Sequence, residues 1–97
     1  MKRIAFDPAA QADIRVAKRY YEEKQQGLGE DFLNRLREQF QFIVRHPLGA
    51  PIVEEDVRKK RVGKFHFDIY YRVGHEEIYV IAIIHQRQHQ DTWKTRI

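Results

Sequence analysis

The alternation of apolar and polar residues is clearest between Phe65 and His85, where it predicts a β-hairpin. Up to Val73 the pattern has a period of two, which is typical of a half-buried strand. One side of this strand carries Phe65, Phe67, Ile69 and Tyr71. The other side carries His66, Asp68, Tyr70 and Arg72. The second half, Ile78 to Ile84, is apolar and rich in β-branched residues, which favours a strand in the middle of a sheet.

Two amphipathic helices are predicted before this hairpin. Asp7 followed by Pro8 is typical of a helix start, and the first helix is predicted over Pro8–Lys24. The predicted buried stripe of this helix consists of Ile14, Ala17 and Tyr21. The residues predicted to flank the stripe are Ala9, Ala10, Val16 and Tyr20. The second helix is predicted from about Glu30 to the residues before Pro47. The short connection between them indicates an antiparallel helical hairpin.

The remaining segments complete a predicted α+β fold with the order β-α-α-β-β-β. Lys2–Phe6 is β-prone, Leu48–Asp56 is predicted as a loop, and Val57–Val62 as a short basic strand. In the polar tail, Gln86 to Ile97, a helical turn is predicted at Asp91–Arg96, with Trp93 packed back onto the body. The helical hairpin is expected to cover one face of a small, mainly antiparallel sheet, in one domain over residues 1–97.

Composition excludes some kinds of chemistry and points to a basic surface. The chain has no cysteine, which excludes disulfides and thiolate catalysis, and we find no apolar segment that could anchor it in a membrane. The net charge is +4, and Arg58-Lys59-Lys60-Arg61 with Lys64 concentrates five cations within residues 58–64. Such a run indicates either a surface that attracts anionic partners or a solvated edge strand that blocks unwanted strand pairing.

Several short signatures, taken together, resemble the RelE/ParE superfamily of bacterial toxins from type II toxin–antitoxin modules. They comprise Phe6, Pro8, Asp13-Ile14, Tyr20-Tyr21-Glu22, Gly27-Leu28-Gly29, Phe32-Leu33, Leu36, Pro47, the basic strand, Phe65, Ile69-Tyr70-Tyr71, Ala82-Ile83-Ile84-His85, Arg87 and Trp93. The tyrosine pair, the Gly-Leu-Gly connection and the closing residues are more similar to ParE than to RelE. The sequence departs from the family where His66 replaces a common proline and where Arg87-Gln88-His89-Gln90 replaces a common Arg-Arg-x-Pro.

The resemblance implies a cytoplasmic toxin that a cognate antitoxin neutralises. A ParE-like toxin would inhibit DNA gyrase and has no assigned catalytic residues, whereas a RelE-like toxin would cleave mRNA on the ribosome. A third hypothesis is a chain that keeps the fold and binds its partner but is no longer toxic. No cofactor and no metal are expected, because His85, His89 and Asp91 follow a strand without a helical pattern.

The candidate catalytic residues for RNA cleavage are the groups that could move protons or hold a phosphate. They are His66, His85, Tyr70, Arg72 and Arg87, with His89, Arg61 and Lys64 as further candidates. Whether His85 shares a face with Tyr70 and Arg72 depends on strand register, which the sequence leaves open. The alternative is structural: Asp68 pairs with Arg72, and His85 caps the end of the sheet.

For a toxin that acts by binding, we expect the cations of the basic strand and the tail to contact the target. These target-binding candidates are Arg58, Lys60, Arg61, Lys64 and Arg87. Arg61 is predicted to point away from the helices, and its reversal to glutamate is expected to leave the fold intact. The antitoxin is predicted to lie across the helical hairpin and an open sheet edge at the basic strand.

Overall fold

In the computed structural model, which describes residues 2–97, a five-stranded sheet packs one face against two helices. The strands are β1 (Arg3–Phe6), β2 (Ile52–Glu54), β3 (Val57–Val62), β4 (Phe67–Val73) and β5 (Glu77–His85). The helices are α1 (Pro8–Lys24) and α2 (Leu28–Arg45), and a 3₁₀ helix spans Gln90–Arg96. The sheet order is β1-β5-β4-β3-β2, with β1 parallel to β5 and the other neighbours antiparallel. The predicted α+β fold class is confirmed.

The ends of the helices follow from local hydrogen bonding. Asp7 caps α1, because its Oδ1 accepts the Ala9 N–H at 2.8 Å, and both predicted ends of α1 are confirmed. The second helix begins at Leu28, earlier than the predicted start near Glu30. Gly27 supplies the left-handed turn before it with φ of 88°, and the Glu22 carboxylate accepts the N–H groups of Gly27 and Gly29. These bonds lower the pKa of Glu22.

An aromatic cluster joins the helical hairpin to the sheet. The ring centroids of Tyr21 and Phe65 lie 4.9 Å apart, and those of Phe32 and Phe67 lie 5.2 Å apart. The Tyr21 hydroxyl also donates to the Phe65 carbonyl at 3.0 Å. Ile69 and Tyr71 belong to the same buried core, so the predicted alternation along β4 is confirmed on this side.

The opposite face of β4 is not half exposed, as the sequence predicted, but buried. Asp68 is 1% exposed and Tyr70 is 2% exposed, because the 3₁₀ helix lies across this face. Trp93 stacks on Tyr70 with ring centroids 5.9 Å apart and an interplanar angle of 21°. The packing of Trp93 against the body is confirmed, and it gives the sheet a second, smaller core.

The edge of the sheet next to the basic strand differs from the prediction. Residues 52–54, predicted as loop, form β2, which pairs with β3 and leaves β2 rather than β3 at the edge. All three β2 residues are exposed, so no alternating burial pattern could reveal the strand. At the other end of β3, β4 begins at Phe67 rather than Phe65, because His66 occupies a turn with φ of 58°.

A β-bulge interrupts the pairing of the two central strands. Tyr70 lies opposite Ala82, and Tyr71 lies opposite Val80, so Ile81 is an extra residue on β5. Val80 and Ile83 therefore pack in the core under the helices, whereas Ile81 and Ala82 pack in the core under the 3₁₀ helix.

An ion pair between distant parts of the chain ties the 3₁₀ helix to α1 and β5. Arg96 donates to both carboxylate oxygens of Asp13, at 2.7 and 3.1 Å. Arg96 also donates to the Ile81 carbonyl, and Asp13 accepts the Ile83 N–H. β1 ends opposite Val80, so the backbone groups of β5 beyond Val80 have no strand partner on this edge. The Arg96 and Asp13 side chains form hydrogen bonds with the Ile81 carbonyl and the Ile83 N–H there instead.

We expect Gly29→Ala to destabilise the protein. A Cβ at this position would lie 2.8 Å from the Lys18 carbonyl oxygen, an α1 backbone atom that cannot rotate away. The steric cost of up to about 3 kcal/mol should exceed the helix-propensity gain of up to about 1 kcal/mol, for a net loss of about 1–2 kcal/mol. Urea denaturation measures this loss.

The matched control is Gly63→Ala, because a Cβ at Gly63 has no heavy atom within 4 Å. Its stability should stay within about 0.5 kcal/mol of the parent chain. Equal stabilities of the two variants would contradict a close helix contact at Gly29.

Candidate functional site

Two turns carrying cationic side chains lie side by side at one end of the sheet. The turn between β3 and β4 is held to the residues after β5, because the Gln86 N–H donates to the His66 carbonyl at 2.8 Å. We call this region the basic end, and it consists of the cations Arg61, Lys64 and Arg87 together with the exposed His66.

Most of the positive charge at the basic end has no acidic partner. The nearby carboxylate, Asp68, is buried and already pairs with Arg61 Nε at 3.3 Å and with Lys59 Nζ at 3.9 Å. The Lys64 ammonium lies 5.8 Å from the centroid of the Phe65 ring. Within residues 2–97 the Arg87 and Lys64 side chains form no ion pair, so both charges remain available to an anionic partner.

The five target-binding candidates fall into separate groups. Arg61 lies opposite Asp68 on the face away from the helices, as predicted, whereas Arg58 and Lys60 lie on the helix side opposite Tyr71 and Ile69. Arg58 donates to the carbonyls of Leu48 and Ala50 and so holds the loop before β2. The Lys60 ammonium lies 4.9 Å from the centroid of the Phe42 ring.

The structure brings together only some of the candidate catalytic residues: His66, His85 and Arg87 lie at the same end of the sheet, whereas Tyr70 and Arg72 lie apart from them. His85 lies opposite Phe67 on the helix side of the sheet, whereas Tyr70 belongs to the core on the other side. Arg72 lies toward the far end of β4 and pairs with Asp56 at 3.1 Å. The predicted structural pair of Asp68 with Arg72 is wrong, because Asp68 is bound by β3 cations instead. His66 is exposed in its turn, next to Arg87 rather than Tyr70.

Tyr70 is held as a structural side chain. Its hydroxyl donates to Gln90, and the ring is covered by Trp93. Burial, followed by the negative charges of Asp68 and Asp91, raises the pKa of Tyr70 to about 12. The phenol therefore stays protonated at neutral pH and is not available as a general base.

His85 is also structurally engaged. Its Nδ1 accepts the Arg87 N–H at 3.0 Å, and its ring meets the edge of Phe67 with centroids 4.9 Å apart. Desolvation, followed by the charges of Arg87 and His66, lowers the pKa of His85 from its ordinary value of 6.5. A neutral imidazole that accepts a backbone hydrogen bond caps the end of the sheet, which agrees with the structural alternative.

An apolar groove opens between α1 and the end of β5, directly beside the basic end. It encloses about 450 Å³, and its lining consists of Ala12, Asp13, Val16, Ala17, Tyr20, Phe67, Ile83, His85, Arg87 and Gln88. Val16 and Tyr20 were predicted to flank the buried stripe of α1, but both are largely exposed at this groove. Their exposure depends on where the sheet ends under α1, which helical periodicity does not indicate.

The sequence profile described as "ParE toxin of type II toxin-antitoxin system, parDE" matches residues 4–90. The chain belongs to this ParE toxin family. The predicted superfamily is confirmed, and the protein is a ParE-like type II toxin. No curated protein sequence matches the chain significantly.

Solved structures share the fold of this ParE-family chain. A chain of the chromosomal ParDE toxin–antitoxin system from P. aeruginosa has a TM-score of 0.77 at 19% identity, and the match covers 88% of this chain and 96% of that one. The isolated RelE toxin from E. coli has a TM-score of 0.67 at 15% identity, covering 98% of this chain and 95% of its own. At 19% and 15% identity the two similarities concern the fold alone.

Two further features bear on the partners of this ParE-family chain. Within residues 2–97, no three histidine or acidic side chains are grouped so that they could hold a metal ion. No helix among the described residues is long and apolar enough to cross a membrane.

We expect the stability of the protein to fall as the pH drops below about 6.5. In the unfolded chain His85 has its ordinary pKa of 6.5, whereas folding lowers this pKa. The unfolded state therefore takes up a proton first as the pH falls. The stability present above pH 6.5 decreases until the pH reaches the folded-state pKa. Urea denaturation between about pH 7.5 and about pH 5, with an NMR titration of His85, measures the effect.

The control is His85→Asn, which can still accept the Arg87 N–H but does not titrate. Its stability should depend less on pH over this interval. A His85 resonance that titrates above 6.5 would contradict the groove environment described above.

Proposed function

We propose that this ParE-like toxin inhibits DNA gyrase in the cytoplasm and that a cognate antitoxin neutralises it. Membership of the ParE toxin family supports an antitoxin partner. The observation that carries a binding mechanism, rather than catalysis, is the separation of His85 from Tyr70 and Arg72. Inhibition of a large protein target requires a complementary surface rather than a catalytic constellation.

RNA cleavage, the alternative, has little support among the same residues. A general base and a general acid must reach one reacting phosphate within hydrogen-bonding distance. Here Tyr70 is buried and protonated, and His85 is neutral and faces the groove. Arg72 is bound by Asp56 at the opposite end of the strand from Arg87. His85 and Arg87 are neighbours, but Tyr70 and Arg72 do not face the same position as His85.

We place the antitoxin in the groove and on the basic end. The groove offers apolar walls at Val16, Tyr20 and Phe67, and Arg87 and His85 lie at its rim. An acidic segment that orders on binding could insert apolar side chains here and neutralise Arg87. This location includes the predicted helical hairpin but not an edge at the basic strand, because β2 covers that edge.

The basic end is the proposed contact with an acidic surface of the target. Lys64 and Arg87 carry free charge there, and Arg61 is partly committed to Asp68. If the antitoxin neutralises the same cations, antitoxin and target compete for one surface. Competition at shared charges would explain neutralisation without any change in the conformation of the toxin.

The direct test adds the purified chain to a gyrase supercoiling reaction and to a translating-ribosome mRNA cleavage assay. We expect loss of supercoiling with intact mRNA, and recovery of supercoiling when the cognate antitoxin is added. Codon-positioned cuts with normal supercoiling would support the RelE-like alternative. Neither effect would favour a binding partner that is no longer toxic.

We expect Arg87→Glu to weaken gyrase inhibition by roughly threefold to tenfold at low ionic strength, because a rim charge mainly affects association. The difference should shrink at high salt, where exposed charges are screened. Supercoiling titrations at two salt concentrations measure both effects. Arg61→Glu is unsuitable for this purpose, since it would leave the buried Asp68 beside a second carboxylate.

The matched control is Arg15→Glu, an exposed arginine on α1 that forms no ion pair within the described residues. The new glutamate would precede Lys18 and Arg19 at helical spacing, so the helix should tolerate it. Equal inhibition by both variants at low salt would contradict a target contact at the basic end.

A further inference from the structure

A second apolar surface lies across α2 from the groove, where α2 ends beside the edge strand β2. Leu48 is 68% exposed, Ile52 is 52% exposed and Phe42 is 40% exposed. Gly49, next to Leu48, lies against the Phe42 ring, and Ile52 lies opposite Arg58 on the helix side of the sheet. We call Phe42, Leu48 and Ile52 the α2–β2 patch.

Cations surround this patch without acidic partners. The Lys60 ammonium lies over the Phe42 ring, and Arg58 donates only to backbone carbonyls of the adjoining loop. Arg45 is exposed at the end of α2. Within residues 2–97, neither Arg45, Arg58 nor Lys60 forms an ion pair. An apolar centre with an uncompensated cationic rim is typical of a surface that receives an acidic protein.

The charge distribution decides between possible occupants. A two-fold pairing of this patch with a second copy would bring Arg45, Arg58 and Lys60 against the same cations, which is unfavourable. Addition of a strand to β2 is disfavoured, because β2 spans only Ile52–Glu54 and its pairing with β3 is irregular. An acidic surface on a different protein remains the best match.

We infer that the α2–β2 patch is the apolar anchor by which the toxin docks on an acidic surface of gyrase. This inference rests on the proposed function, since it assigns a surface to the proposed target. Lys60 of the patch rim and Arg61 of the basic end are neighbours on β3, but they lie on opposite faces of the sheet. The groove under α1 lies on the β5 side of the sheet, so an antitoxin there leaves the patch uncovered and competes only at the shared cations.

The test compares Ile52→Glu with Ile97→Glu, using the gyrase holoenzyme and both supercoiling and direct binding assays. The two isoleucines are 52% and 50% exposed, so the substitutions match in chemistry, charge change and exposure. We expect Ile52→Glu to weaken binding and inhibition by about tenfold or more, as removal of an interface anchor does. Ile97→Glu, outside the patch, should stay within about twofold of the parent.

Leu48→Glu provides a second patch variant in a loop, in case the substitution on β2 disturbs folding, which circular dichroism and thermal unfolding monitor. It should show the same loss as Ile52→Glu. If both folded variants inhibit gyrase as well as the parent, the docking inference is wrong while the proposed function stands. If the parent chain neither binds nor inhibits gyrase, the proposed function fails and the inference fails with it.

Two further arms test other occupants. Flotation with phosphatidylglycerol vesicles asks whether the patch binds an anionic membrane, and titration with the cognate antitoxin asks whether the antitoxin covers it. We expect Ile52→Glu to change neither result. Loss of vesicle or antitoxin binding, with gyrase inhibition unchanged, would overturn the inference and assign the patch to that occupant.

Discussion

The constraint on which the rest of the structure depends is that β4 must be covered on both faces. The helical hairpin covers one face with the aromatic cluster around Phe32 and Phe67. The other face needs the 3₁₀ helix, which packs Trp93 on Tyr70. Arg96 and Asp13 hold that helix in place and at the same time satisfy the unpaired edge of β5. The Arg96–Asp13 ion pair thus holds the 3₁₀ helix on the second hydrophobic face and also provides hydrogen bonds to the edge of the sheet.

Burial of the second face engages Asp68 and Tyr70 in structural contacts, so these polar side chains are not free to act in catalysis. A buried carboxylate must be paired, so Asp68 retains Lys59 and Arg61 beside it. Tyr70 is likewise bound by Gln90 and kept protonated. At the basic end, Lys64 and Arg87 form no ion pair among residues 2–97. Folding therefore leaves Lys64 and Arg87 exposed at the basic end, which supports the proposed inhibition by binding.

The sequence was sufficient where a short-range rule applied. Asp7-Pro8 marked the start of α1 because the cap forms within one turn, and alternation identified the faces of β4. It was insufficient where contacts join distant segments or where burial has no period. β2 is exposed throughout, and the Asp13–Arg96 pair spans nearly the whole chain, so neither leaves a local pattern. The groove was missed because periodicity cannot locate the edge of the sheet beneath α1.

The bulge at Ile81 determines which face of the sheet carries His85. Simple alternation from Val80 would have put His85 on the face of Tyr70. The extra residue moves His85 to the helix side and into the groove. Because the folds of ParE and RelE toxins are both similar to this chain, fold does not separate a gyrase inhibitor from a ribonuclease. The register of one strand determines which side chains meet, and here it separates them.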